Sequence, residues 1–279
     1  MSEIPLLLGL SIALVALVAE YSDSSLGMGY GTLLTPILML MGFTPLQVVP
    51  AVLVSELITG FLAGFTHHSM GNVDLKPKSM SVVVIYRKIR ELGMVESFRR
   101  GVPRALKVVI IVAACSAIGT VAAVTIAVKL PKFYLTLYIG VLLLAIGILI
   151  LLTMNRTFGF SWGKITALGL LASFNKGMSG GGYGPVVTGG QLLAGVDEKN
   201  AVGITSLAEG ITCLVGVICY LMAGKEIDFF LAPWLVGGAL VSVPLSGITI
   251  KHLKPGRLKP AIAIATLILG CTTLYKLFV

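Results

Sequence analysis

Displaced by 153 residues, this chain matches itself. Residues 27–63 fall on 180–216 without a gap, and eleven of the 37 positions are identical. The pairs are Gly27/Gly180, Gly29/Gly182, Tyr30/Tyr183, Gly31/Gly184, Thr35/Thr188, Leu40/Leu193, Gly42/Gly195, Val49/Val202, Glu56/Glu209, Ile58/Ile211 and Thr59/Thr212. A shared Leu, Val and Gly bias explains some of these. It does not explain an ungapped register that also aligns Tyr, Thr and Glu. The chain therefore reads as two related halves, 1–154 and 155–279.

Each half is mostly apolar. Hydrophobic residues make up 56% of the chain and charged residues 12%, with a mean hydropathy of +0.98. Soluble domains carry about a quarter charged residues, so this is an all-α polytopic membrane protein embedded in the lipid bilayer. Crossing a hydrocarbon core takes about 20 apolar residues in helix. Six runs are long enough: 48–66, 105–128, 133–153, 201–222, 229–250 and 260–278. Four are short: 4–19, 32–41, 164–174 and 185–195. Each half holds one pair of short segments, read as a broken or re-entrant helix pair, and three long ones. The N-terminus lacks the basic stretch of a signal peptide, so residues 4–19 are expected to be retained.

Lys and Arg set the orientation. Eight fall between Lys76 and Arg104, which places the loop 67–104 in the cytoplasm. Counting alternately from there puts 16 of the 21 basic residues inside and both termini outside. The net charge of +9 then belongs to inner loops, not to nucleic-acid binding. On this count the first half starts outside and the second inside, so the halves are inverted repeats. The long loop reads as a solvated basic segment. Ile85, Ile89, Leu92 and Val95, at helical spacing, offer an amphipathic surface helix as the alternative. Cys115, Cys213, Cys219 and Cys271 lie in apolar runs without metal or disulfide spacing; no metal or cofactor is expected.

Between the short segments of each pair lies a glycine-rich polar passage: "DSSLGMGYGTLLTP" from Asp23 and "NKGMSGGGYGPVVTGG" from Asn175. Irregular backbone at membrane depth is tolerated only where it is buried in protein or lines a wet cavity. Glycine lets the chain turn and lets N–H groups face a ligand without a Cβ in the way. New helices are expected to begin near Thr32 and Pro185, and their free N–H groups favour an anion. Transporters built from inverted repeats bring such broken helices together near the midplane, where they bind the substrate.

The copies "GMGYGTLLTPILMLMGFTPLQVVPAVLVSE" and "GGGYGPVVTGGQLLAGVDEKNAVGITSLAE" resemble the sulfite exporter TauE/SafE family of membrane transporters. Met28 and Tyr30 interrupt the family's glycine run in the first copy. The resemblance implies transport of a small sulfur oxyanion, an organosulfonate or a related organic anion, with export the expected direction. The expected binding residues are Ser25, Gly29, Tyr30, Gly31, Asn175, Lys176, Ser179, Gly182, Tyr183 and Gly184.

Glu56 and Glu209 are ionisable groups inside spans, which is costly and marks function by default. With Asp23 they are expected to couple transport to H⁺ or Na⁺, or to brace the broken helices. Lys176, aligned with Asp23, is the basic residue placed at depth. The two are expected to meet as a buried pair that an arriving anion opens, unless Asp23 lies at the outer mouth of its passage. Residues 177–181 match GxSxG, the pattern of a serine hydrolase. No histidine lies within the long spans as drawn, and Leu26 stands where the other half has Ser179. No catalytic residue is therefore assigned. His67, His68 and His252 fall at span ends or in loops and carry no expected role. A passive anion channel remains the other reading of the same pocket.

Overall fold

A computed structural model of the chain describes residues 4–27, 29–77, 86–87, 90–91, 96, 101–153, 161–194, 196–252 and 259–278. Among them are ten helices of eleven residues or more and no strand. They are α1 (Leu6–Leu26), α2 (Tyr30–Leu40), α3 (Pro45–Ser69), α4 (Arg104–Ala127), α5 (Lys132–Thr153), α6 (Trp162–Ser179), α7 (Tyr183–Leu193), α8 (Glu198–Met222), α9 (Ala232–His252) and α10 (Lys259–Phe278). Six are long and apolar enough to cross a membrane: α1, α3, α4, α5, α8 and α9. Ile85, Ile89, Leu92 and Val95 lie outside the described residues.

The 153-residue register carries through to the backbone. Helices α2 and α3 recur as α7 and α8 with both ends displaced by that number. Thr44 and Asp197, equivalent in the register, precede α3 and α8. The Gln47 side chain accepts from the Thr44 N–H (3.0 Å) and hydroxyl (2.8 Å). Asp197 accepts from the N–H groups of Lys199 and Asn200 at 3.2 and 3.4 Å. Each satisfies donors that a helix start leaves free.

Two expected boundaries move. The first segment, expected over 4–19, runs to Leu26, and the segment expected over 164–174 runs to Ser179. Their polar ends do not break the helix. Asp23, Ser24, Ser25, Asn175, Lys176 and Ser179 complete the last turns and are buried. Both helices stop at a glycine in the left-handed region, Gly27 (φ 66°) and Gly180 (φ 70°), where other residues pay a steric penalty. The next helices begin at Tyr30 and Tyr183, two residues before the expected starts.

Packing interleaves the sequence. Helix α1 lies against α9, and its register partner α6 lies against α4. Helices α3 and α8 pack on each other, as do α5 and α10. Exchanging each helix for its counterpart leaves these pairings unchanged, the contact pattern of a pseudo-twofold arrangement. At the α3–α8 crossing Gly60 lies against Gly210, where a Cβ on Gly60 would come within 2.9 Å of the Gly210 nitrogen. Small residues allow this approach of two backbones.

Candidate functional site

The two glycine passages touch. The Gly182 N–H donates to Thr32 Oγ1 (3.0 Å), and Thr188 Oγ1 donates to the Gly27 carbonyl (2.6 Å). Gly31 is seated against the Gly180 carbonyl so closely that no Cβ fits between them. The N-terminal ends of α2 and α7 therefore converge, as their glycine content leads one to expect.

The exposed N–H cradle expected there is partly engaged by the protein itself. Tyr30 N–H donates to Asp23 Oδ1 (3.3 Å), Gly181 N–H to Ser179 Oγ (3.1 Å), and Gly182 N–H to Thr32. Gly29, at φ 142°, precedes α2 as its N-cap, and Gly184 is buried in the first turn of α7. The hydroxyl of Tyr30 pairs with Ser55 Oγ at 2.7 Å, and that of Tyr183 accepts from Thr212 Oγ1 at 3.2 Å. Both rings are fully buried, so each phenol ties a helix start to a neighbouring helix. Asn175 Oδ1 accepts from the Tyr138 hydroxyl at 2.7 Å. Ser179 Oγ donates to the carbonyls of Asn175 (2.8 Å) and Gly181 (3.2 Å), so it serves the turn and does not face a base. The buried Ser25 hydroxyl has no protein partner.

Beside the passages sits a buried charged cluster. Lys176, on α6, is fully buried and donates to Glu56 Oε2 on α3 and to Glu209 Oε1 on α8, the latter at 2.7 Å. Carboxylate oxygens of Asp23, Glu56 and Glu209 lie within 4.8 Å of one another, a group able to hold a cation. The expected pairing of Asp23 with Lys176 is replaced by this triad. The α3–α8 crossing brings the register-equivalent glutamates together, and the one ammonium bridges them. Asp23 instead holds the start of α2 through Tyr30.

Glu20, missed in the sequence, adds a fourth carboxyl. Its Oε1 accepts from Ser24 Oγ (2.5 Å) and its Oε2 from Thr59 Oγ1 (3.1 Å). His67, expected at a span end, lies in the last turns of α3 and is buried. Its Nε2 donates to the Ser24 carbonyl (2.9 Å), and its Nδ1 accepts from Asn72 Nδ2 (3.2 Å). Helical spacing is the signal for it, because Glu56, Thr59, Ala63 and His67 lie on one face of α3.

Of these four buried carboxyls, Glu56 and Glu209 touch the Lys176 ammonium. Glu56 Oε1 and Glu209 Oε2 have no hydrogen-bond partner. An unpaired buried charge costs several kcal/mol or changes its protonation. The cluster therefore holds more acidic groups than the Lys176 ammonium alone can neutralise.

A family model described as sulfite exporter TauE/SafE matches residues 12–86 and 90–273. The chain belongs to the sulfite exporter TauE/SafE family. A curated Bacillus subtilis (strain 168) protein named "Probable membrane transporter protein YtnM" is 22% identical over 255 residues, which are 87% of this chain and 75% of that one. No solved structure matches. As a TauE/SafE member the chain is a multi-pass membrane transporter and not an enzyme. The GxSxG match is a by-product of the glycine turn.

Proposed function

We propose that this TauE/SafE protein exports a small sulfur oxyanion, sulfite or a small organosulfonate, and couples its movement to a proton. In this reading the halves 1–154 and 155–279 are inverted repeats that move against each other about the converged passages. The loop 67–104 faces the cytoplasm and both termini face outside. Gly29, Tyr30, Gly31, Gly182, Tyr183 and Gly184 shape the path, and Ser25, Asn175, Lys176 and Ser179 line it.

The observation that carries the reading is the Lys176 ammonium held between a glutamate of each half, with one oxygen of each glutamate unpartnered. While both glutamates are ionised, the lysine is neutralised and an anion is repelled. A proton on Glu56 or Glu209 weakens that glutamate's hold on the ammonium, which then accepts an oxyanion. Asp23, Glu20 and the Cys213 thiol, whose Sγ is 4.0 Å from Glu56 Oε2, surround the same point and favour protonation over a further negative charge. Proton and anion therefore bind together. A dianion carrying one proton still leaves with a net negative charge, and an inside-negative potential favours its exit by about 2.3 kcal/mol per charge per 100 mV.

Purified protein in liposomes, loaded with sulfite or a small sulfonate, tests this. Efflux should acidify the trans side and respond to pH, and Glu56→Gln or Glu209→Gln should abolish the pH response. Dependence on Na⁺ in place of pH would assign the carboxylates to sodium. Flux that follows the anion gradient alone, with no proton moved, would make the protein a channel.

A further inference from the structure

Away from the carboxyl cluster, where α2 ends, α5 begins and α10 ends, lies a half-open cavity of about 480 Å³. It is some 15 Å from the start of α2, ten residues of helix away. Two ammonium groups line it, Lys132 of α5 and Lys276 of α10, and no Asp or Glu among the described residues does. Lys276 Nζ also donates to the Leu40 carbonyl at 2.8 Å, which fixes one positive charge at the mouth.

Two threonines of the same cavity stand out. Thr136 and Thr273 are 8% and 3% exposed, and neither hydroxyl has a partner. Several other helix threonines turn back on the preceding turn, as Thr125, Thr153 and Thr272 do on Val121, Leu149 and Ile268. A buried hydroxyl without a partner is costly. Both oxygens are closed off from the cavity surface in this conformation, so a change of side-chain rotamer is what presents them, beside the two ammonium groups, to an oxyanion.

The remaining wall is apolar, including Phe43 and Phe133, and the volume is several times that of a bare tetrahedral oxyanion. Around the rim, Phe133 packs edge-on against Tyr134 and Phe278, with centroids 5.4 and 5.9 Å apart. Tyr134 and Tyr275 are 56% and 69% exposed. Exposed tyrosines with lysines at span ends mark the headgroup level of a bilayer.

We infer that this cavity binds the headgroup of an anionic phospholipid, with its phosphate on Lys132 and Lys276, the two threonine hydroxyls turning to join it, and its glycerol and first methylenes along the phenylalanine wall. The site stands apart from the transport reading and does not depend on it.

Native mass spectrometry of the full-length, detergent-purified protein, titrated separately with phosphatidylglycerol and phosphatidylethanolamine, tests this. Phosphatidylglycerol should bind in preference. Lys132→Gln/Lys276→Gln should weaken it by about 30-fold, each charge contributing roughly a factor of five, and weaken phosphatidylethanolamine less, so that the preference is lost. Thr136→Val/Thr273→Val should weaken it further, and Lys132→Arg/Lys276→Arg should keep the preference, which separates lost charge from lost fold. Equal binding of the two lipids, or a preference that survives the glutamine variant, would overturn the site. Complete displacement of phosphatidylglycerol by millimolar inorganic phosphate would overturn the lipid and leave a free oxyanion as the ligand.

Discussion

Lys176 is the single residue on which the charge balance of the interior turns. Removing one partner of a buried ion pair costs about 3–5 kcal/mol. Lys176→Met leaves Glu56 and Glu209 facing each other without a cation, and should lower the melting temperature of the solubilised protein by roughly 10 °C. Adding Glu56→Gln and Glu209→Gln should recover most of that loss without restoring flux, since the triad is then neutral but cannot exchange a proton. A Lys176→Met protein as stable as the parent would mean that the glutamates are already protonated at neutral pH. The two glutamates are legible in the sequence because the repeat aligns them. Glu20 is not, because a count of apolar residues ends the first segment at residue 19. The burial of Glu20 depends on Ser24 and Thr59, which no linear pattern brings together. The partner of Lys176 is illegible for the same reason: alignment shows which positions are equivalent, not which side chains meet where α3 crosses α8.

At the scale of the elements, the broken helices depend on backbone touching backbone. Gly31→Ala should prevent α2 from seating on the Gly180 carbonyl and abolish transport and folding yield together. Gly189→Ala, in α7, has open space around the new methyl group and should be neutral or stabilise by up to about 1 kcal/mol, the usual helical difference between the two residues. Comparing yield, melting temperature and flux of the two variants checks this. Equal damage from both would mean that glycine content, not the contact, matters. The sequence shows the glycine passages and places their helix starts within two residues. It misplaces the ends of α1 and α6, because serines, an aspartate and a lysine read as loop when their partners are out of sight. They are helix, buried on a neighbour.

At the scale of the whole molecule, the proposed inversion puts the segments 43–47 and 196–200 on opposite faces of the membrane. Single cysteines introduced at Thr44 and Asp197 in a cysteine-free background should react with an impermeant maleimide from opposite sides, and labelling from one side would remove the inverted arrangement. The periodic match discloses two halves, yet it does not disclose that they exchange helices. Helix α1 packs on α9, with Gly9 against the Trp234 ring and Gly238 against the Ala13 carbonyl, and α4 packs on α6. This interleaving governs how the protein is made. As the ribosome delivers the chain at about 5–20 residues per second, α1 enters the bilayer on the order of ten seconds or more before α9 exists. Its buried face must meanwhile wait in lipid or be held by the insertion machinery. A truncated product ending at residue 154 should be degraded when expressed alone and rescued when 155–279 is supplied as a separate chain, with pulse-chase turnover as the readout. A chain truncated before residue 232 should be cleared by membrane proteases faster than one truncated after 252, and both faster than the full chain, because α5 still waits for α10.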